Sequence, residues 1–269
     1  LDHIEFTVSE VEKSLAFYTR VFGNVVMKNN QTTRRYLKLG ANYLAIDKAA
    51  TARVDHFCGG IDRFDIGELH KHLEGQGIAY RDYPSGKDLS VADPDSIKMQ
   101  LAASNGWDQL AIGTASPEAV QLSGEPIFRP LRLDRVLLNA SDLDESRAFY
   151  AKFVSLPTLT FNGGSSLVLT QRTALAAGDE GQFGVKLSEG LPLPPFLQFK
   201  VGKSFLAVRN TPKGEMPGVK LFAVATQAFD PLIAAARLEQ EGAVMEASED
   251  PSAMQFRDTD ELVVQVIAA

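Results

Sequence analysis

The sequence contains little of the chemistry that marks several large classes of protein. Its 269 residues include one cysteine, Cys58, so no disulfide can form within the chain and the fold depends on its hydrophobic core. Positive charge is in deficit, because 27 Lys and Arg face 34 Asp and Glu, which gives a net charge of −7 at pH 7. Contacts with phosphate backbones need clustered cations, so nucleic acid is not an expected partner.

Long apolar runs are also missing. No segment reaches the roughly 18 apolar residues that cross a bilayer, so no membrane partner is expected. No signal peptide is recognisable and disulfides are excluded, which favours a soluble, cytoplasmic protein. Because the sequence starts at Leu1 and not at methionine, export after removal of an upstream segment is the alternative. The composition leaves the oligomeric state open.

The sequence does contain an internal repeat. The opening segment "LDHIEFTVSEVEKSLAFYTRVFG" is matched by "LDRVLLNASDLDESRAFYAKFVSLP" 132 residues later, and "FDIGELHKHLEGQGIA" is matched by "FDPLIAAARLEQEGAV" 165 residues later. In "HIEFTV" apolar and polar residues alternate, which predicts a half-buried strand, and apolar residues at helical spacing follow it. Three short β-prone runs complete the unit. We therefore predict an α+β fold of four βαβββ modules.

The two repeat distances define the domains. We predict an N-terminal domain of two modules over residues 1–103, a linker over 104–130, and a C-terminal domain of two modules over 131–269. The longer second distance indicates extra residues between modules three and four. These fall in a Gly- and Pro-rich stretch, about 171–217, which we expect to form a long surface excursion. The sequence does not decide whether modules pair within each half or across the halves.

These motifs resemble those of the vicinal oxygen chelate superfamily, which includes glyoxalase I, bleomycin-resistance proteins and extradiol dioxygenases. The segments "DHIEFTVSEVEKSLAFYTRVFG" and "DPDSIKMQL" carry the resemblance. It implies that paired modules form cup-shaped mixed β-sheets with helices on the outside. It also implies that metal ligands come from the first and last strands of the modules.

Strand alternation and the resemblance together select the candidate metal site. The resemblance places His3, His56 and Gln100 at ligand positions, and alternation directs all three into the N-terminal cup. Two imidazoles and one oxygen donor suit Fe(II), Mn(II), Zn(II) or Ni(II) with open coordination positions. The last ligand of such sites is usually a glutamate. Since a neutral amide is the weaker donor, we expect Gln100→Glu to strengthen metal binding.

Four further residues are candidates for roles in the same cup. Glu5 is the candidate catalytic residue and adds negative charge near the predicted ion. Tyr43, Cys58 and Lys98 are candidate substrate-binding residues. For Cys58 we favour a small thiol that lines the cup over a nucleophile, because no base for it is recognisable. The alternative for His3 and His56 is that they form hydrogen bonds at the floor of a metal-free cup.

The second cup differs. Its corresponding positions are Arg135, Leu221 and Gln265. An arginine and a leucine cannot replace two imidazoles, so we expect no metal there and either a structural role or a cup for an anionic or apolar molecule.

The resemblance implies a metal-dependent enzyme, of dioxygenase, lyase or isomerase type, that acts on a small oxygen-bearing organic molecule in the N-terminal cup. In extradiol dioxygenases the working site usually lies in the C-terminal half and ends in glutamate, and this chain departs on both points. The alternative is a metal-free protein that sequesters a small molecule, as bleomycin-resistance proteins do. An interaction scaffold with two inert cups is a third reading.

Overall fold

The four predicted modules follow one another along the chain. The computed structural model describes residues 1–121, 124–154, 170–172 and 196–269. The first module consists of β1 (His3–Val8), α1 (Val11–Phe22), β2 (Val25–Asn29), β3 (Arg35–Leu39) and β4 (Asn42–Lys48). The second consists of β5 (Arg53–Ile61), α2 (Ile66–Gly75), β6 (Tyr80–Asp82), β7 (Asp88–Ala92) and β8 (Lys98–Ala103).

A connecting segment and the second pair of modules complete the chain. The connection contains α3 (Gly106–Leu110) and β9 (Ala115–Ala119). The third module has β10 (Pro130–Ala140), α4 (Leu143–Val154), β11 (Thr170–Arg172), β12 (Phe196–Val201) and β13 (Ser204–Asn210). The fourth has β14 (Gly218–Thr226), α5 (Pro231–Gln240), β15 (Val244–Glu246), β16 (Ala253–Arg257) and β17 (Val263–Ala268). No helix in this described part of the chain is long and apolar enough to cross a membrane.

Modules pair within each half. The described strands form a nine-stranded sheet, β6-β7-β8-β5-β1-β4-β3-β2-β9, and an eight-stranded sheet, β11-β12-β13-β10-β14-β17-β16-β15. In both sheets the first strands of the two modules are antiparallel neighbours, as in β1–β5 and β10–β14. Each also pairs in parallel with the last strand of its own module. The prediction of an α+β fold with two paired, cup-shaped mixed sheets is confirmed.

Two predicted boundaries need adjustment. The stretch 104–130 is more than a linker, because β9 pairs with β2 and extends the N-terminal sheet. The predicted excursion over about 171–217 includes β12 and β13, which are paired strands of the C-terminal sheet. Sequence repeats did not reveal these strands, since neither matches its counterpart in the first module closely. Residues 173–195 lie outside the described residues.

The period-2 pattern of β1 determines what the N-terminal sheet buries on each face. Ile4, Phe6 and Val8 are completely buried in the core. They form one continuous apolar cluster with the buried face of α1, including Leu15 and Phe17. Burying a side chain of this size contributes roughly 1.5–3 kcal/mol, so this face fixes the register of β1. The opposite face, with His3 and Glu5, is thereby directed into the cup.

The repeated aromatic and acidic motifs join the two domains. Tyr18 on α1 donates a hydrogen bond to Asp258 of the C-terminal domain, 2.5 Å between the oxygens. Tyr150 on α4 donates a bond of 2.9 Å to Asp93 of the N-terminal domain. Both carboxylates also accept backbone N–H groups of their own turns. Each domain therefore contributes one tyrosine and one aspartate to a reciprocal pair of interdomain bonds.

Candidate active site

The N-terminal cup encloses a cavity of about 760 Å³. Its walls come from both modules and from the connection between the domains, with α3 and the residues after it closing one side. Among the lining residues are His3, Glu5, Arg34, Tyr43, His56, Asp88, Lys98, Gln100, Gly106, Leu110 and Ile112. A cavity of this size can hold a small organic molecule.

The three predicted metal ligands meet in this cavity. β1 and β8 both pair with β5, which places His3 and Gln100 opposite the same residue of β5 and next to His56. The imidazole rings of His3 and His56 lie 5.6 Å apart between centroids, at an interplanar angle of 77°. His56 Nε2 is 2.8 Å from Gln100 Oε1. The strand order thus brings two imidazoles and one amide oxygen together at the floor of the cup.

An aspartate holds the other ring nitrogen of each histidine. His3 Nδ1 lies 2.9 Å from Asp2 Oδ2, and His56 Nδ1 lies 2.9 Å from Asp55 Oδ2. A carboxylate can only accept, so each Nδ1 carries the proton and each Nε2 is left for another partner. The hydrogen bond from His56, together with those from Lys98, holds the pKa of the Asp55 carboxyl well below its usual range despite partial burial.

Sequence reasoning missed both aspartates. Each directly precedes its histidine, in "LDHIEF" and "VDHFCG", and this repeated Asp-His pair was a usable signal. Carboxylates that orient imidazoles in this way are common behind metal-binding histidines.

Glu5 is held by an arginine. Arg34 contacts both Glu5 carboxylate oxygens, at 3.0 and 3.1 Å, and its Nε lies 3.1 Å from Asp47. Glu5 Oε1 also lies 4.0 Å from His56 Nδ1. The carboxylate that we predicted as catalytic is therefore fixed in place and neutralised, and a catalytic role requires that Arg34 release one of its oxygens.

Donor atoms also cluster at two other places in the same cup. The ligand atoms of Glu5, Asp55 and His56 lie within 4.8 Å of one another. However, Arg34 is paired with Glu5 and Lys98 with Asp55, so cationic side chains already occupy this cluster. The geometry therefore favours the Nε2 side of the imidazoles over the Nδ1 side as a cation site.

Cys58 lies beneath the cavity. Strand pairing sets it opposite His3 and Gln100, yet it is completely buried and is not among the residues that line the cavity. Its ligand atom clusters with those of Asp2 and His3. Burial raises the pKa of the thiol well above its usual value, and the nearby Asp2 adds to this. A buried, protonated thiol does not contact a molecule in the cup, so the predicted substrate contact is not supported by this position.

Tyr43 and Lys98 do line the cavity, as predicted. The Tyr43 ring stacks on the His3 imidazole at 4.5 Å between centroids. Burial raises the pKa of the Tyr43 hydroxyl well above its usual value, with Asp2 as a second cause, so it stays a hydrogen-bond donor at neutral pH. Lys98 forms an ion pair with Asp55.

The connecting segment reaches the site through Asp2. The Gly106 backbone N–H donates a bond of 3.0 Å to Asp2 Oδ1, while Asp2 Oδ2 holds His3. A Cβ atom at Gly106 would lie 2.3 Å from Asp2 Oδ2, so only glycine fits this approach. One carboxylate thereby joins the cavity wall to a predicted metal ligand.

The corresponding positions of the C-terminal cup are occupied differently. Arg135 forms ion pairs of 3.1 Å with Asp134 and with Asp250. Leu221 is buried, and Gln265 donates to Gln255 Oε1 at 2.9 Å. Arginine and leucine offer no donor for a cation at these positions.

Comparison with known proteins supports the fold from an independent direction. No protein-family model matches the sequence. Among solved structures, the 2,3-dioxygenase LapB from Pseudomonas sp. KL28 is similar over 100% of this chain and 91% of its own, with a TM-score of 0.67 and 16% identity. A catechol 2,3-dioxygenase matches over 100% and 92%, with a TM-score of 0.64 and 12% identity.

A third structure is the Mn(II)-bound glyoxalase from Novosphingobium aromaticivorans, which matches over 98% of this chain and 80% of its own, with a TM-score of 0.62 and 14% identity. Identities this low establish architecture and not activity. The paired βαβββ modules and these structural neighbours together show that the chain has the vicinal oxygen chelate fold.

Proposed function

We propose that this protein is a metal-dependent enzyme of the vicinal oxygen chelate type that acts on a small oxygen-bearing organic molecule in the N-terminal cup. The observation that carries the proposal is the convergence of His3, His56 and Gln100, with the Nδ1 proton of each histidine already committed to an aspartate. This leaves two Nε2 lone pairs and one amide oxygen for a shared ligand.

The donor set fits a divalent transition metal. Bonds of about 2.1 Å at right angles place neighbouring donors roughly 3 Å apart, and His56 Nε2 and Gln100 Oε1 are 2.8 Å apart. Imidazole nitrogens and a neutral oxygen suit Fe, Mn, Zn or Ni. The names of the structural neighbours, dioxygenases and a Mn(II)-bound glyoxalase, point the same way.

The residues of the cup have defined tasks in this proposal. A bound ion would supply Lewis acidity toward a substrate oxygen. Asp2 and Asp55 keep the Nδ1 protons in place and so fix both imidazoles. Tyr43, which stays protonated, can donate a hydrogen bond to a substrate oxygen beside His3.

The upper wall of the cup suits the apolar part of such a substrate. Leu110 and Ile112 line the cavity and belong to the connection that closes one side. Their side chains limit the access of water to the reacting end of the molecule.

One observation favours the metal-free alternative. His56 Nε2 can donate its own hydrogen bond to Gln100 Oε1 at the observed 2.8 Å, which satisfies both groups without an ion. A glutamine in place of a carboxylate is consistent with this. In that case the cup would bind and sequester a small molecule.

Metal-dependent thermal stability separates the two functions. An ion that binds the folded state at 100 times its Kd stabilises it by about 2.7 kcal/mol, so the melting temperature should rise when Mn(II) or Zn(II) is added to chelator-treated protein. His3→Ala and His56→Ala should abolish the rise. His70→Ala is the matched control, because His70 lies on α2 and contacts Asp82 at the surface. An unchanged melting temperature of the wild-type protein at millimolar metal would refute the enzyme proposal.

A further inference from the structure

Gln100 is held from its other side by a carboxylate. Its Nε2 donates a hydrogen bond to Asp88 Oδ2, while its Oε1 faces His56 Nε2. Asp88 is the first residue of β7, and the β7–β8 pairing sets it opposite Ala102, diagonal to Gln100. Ser85 in the preceding turn donates to the second oxygen, Asp88 Oδ1. The carboxylate is thus fixed between a turn and the amide.

Resting on the function proposed above, we infer that Asp88 is a positioning residue that turns the Gln100 amide into a metal ligand and supplies the negative charge that a glutamate ligand would carry.

The first part of the argument is orientation. An amide group has nearly the same shape in its two flipped orientations, so its neighbours decide which atom faces the histidines. A carboxylate has only acceptors, and Asp88 therefore takes the NH2 group. The oxygen must then face His56, which is the orientation that a cation requires.

The second part is charge. A hydrogen bond to an ionised acceptor is roughly twice as strong as a neutral one, and it polarises the amide so that more negative charge resides on Oε1. The carboxylate that is missing at position 100 is present one hydrogen bond farther from the predicted ion. Such outer partners commonly change metal affinity 10- to 100-fold.

The internal repeat provides a comparison. Gln265 occupies the position of Gln100 in the C-terminal cup, and the residue that pairs like Asp88 is Ala253, opposite Ile267. There the Gln265 amide donates to the neutral Gln255. The supporting carboxylate thus accompanies the glutamine only in the cup that has two histidines.

This arrangement changes the expectation for Gln100→Glu. The substitution places a second carboxylate against Asp88, and two like charges in contact oppose each other. The single variant should therefore gain little or no metal affinity. The double variant Asp88→Asn with Gln100→Glu restores a carboxylate–amide pair with the charge on the ligand, and it should bind metal at least as tightly as the wild type.

The experiment is a Mn(II) titration in which the free ion is followed by electron paramagnetic resonance, with the fold of each metal-free variant checked by circular dichroism. Asp88→Asn should weaken binding by about 10-fold or more, and Asp88→Ala, which also frees the amide to flip, by more than Asp88→Asn. Asp82→Asn, which removes a carboxylate from neighbouring β6 outside the cavity, should bind like the wild type.

Each outcome decides between the two claims. Wild-type affinity in Asp88→Asn would overturn the role of Asp88 and leave the proposed function standing. Weak binding that the double variant does not rescue would show that Asp88 only supports the fold, and it would also overturn the inference. Absence of Mn(II) binding in the wild type would instead refute the proposed function itself.

Discussion

Replacing Gly106 by alanine should disturb the predicted metal site from the cavity wall. The new Cβ would lie 2.3 Å from Asp2 Oδ2, about 1 Å inside ordinary contact, and 3.1 Å from Tyr43 Cε1. Relief requires rotation of the Asp2 carboxylate, which is almost fully buried. That rotation breaks its hydrogen bonds to His3 Nδ1, at 2.9 Å, and to the Gly106 N–H, at 3.0 Å.

The expected cost follows from these contacts. Each hydrogen bond to a charged group contributes roughly 1.5–3 kcal/mol. The lower chain entropy of alanine in the unfolded state returns roughly 0.4–1 kcal/mol, and Asp2 can keep part of its contacts. The free energy of unfolding should therefore fall by about 1–4 kcal/mol. Because His3 loses its orientation, Mn(II) affinity should also fall, by about 10-fold or more.

Urea denaturation without metal and a Mn(II) titration measure the two effects separately. Gly75→Ala is the matched control, since this glycine ends α2 and nothing lies within 4 Å of an added Cβ. It should leave metal binding unchanged and raise stability by up to about 1 kcal/mol. If Gly106→Ala were as stable as the wild type and bound Mn(II) equally well, the link from the connecting segment through Asp2 to His3 would be wrong.

Three further predictions concern the domain contact, the tyrosines and the second cup. Tyr18→Phe and Tyr150→Phe each leave a buried carboxylate without its hydroxyl donor and should cost about 1–3 kcal/mol in urea denaturation, nearly additively, whereas a cost below about 0.5 kcal/mol for both would contradict the reciprocal bonds. Burial first, and nearby carboxylates second, raise the pKa values of Tyr18, Tyr43 and Tyr150 well above the usual 10.0, so these three should show no phenolate absorbance until the protein unfolds. Since the unfolded chain releases these protons near pH 10 and the folded one keeps them, stability should fall as the pH rises further; full titration of all tyrosines in folded protein would refute this. Gln265→Ala should leave Mn(II) binding unchanged while Gln100→Ala weakens it, and the reverse order would assign the ion to the C-terminal cup.

The parts of the fold that local pattern determines were predictable. Alternation in β1 requires that Ile4 and Phe6 face the core if His3 and Glu5 face the cup, because neighbouring side chains point to opposite faces of a strand. The repeat distances then identified the four modules, since one supersecondary unit recurs without gaps.

Features that depend on contacts distant in sequence were not predictable in the same way. Arg34 reaches Glu5 only because β1 and β4 are parallel neighbours and β3 lies beyond them. The burial of Cys58 follows from its position beneath His3 and Asp2, which the connecting segment covers. Asp88 lies between these cases, because the β7–β8 pairing already sets it diagonal to Gln100.

The most direct test of the account is anomalous diffraction from crystals grown with Mn(II). The account predicts one strong anomalous peak in the N-terminal cup within bonding distance of His3 Nε2, His56 Nε2 and Gln100 Oε1, with the Gln100 amide nitrogen turned toward Asp88. A cup with no peak at millimolar Mn(II), or a peak beside Gln265 in the C-terminal cup, would contradict it.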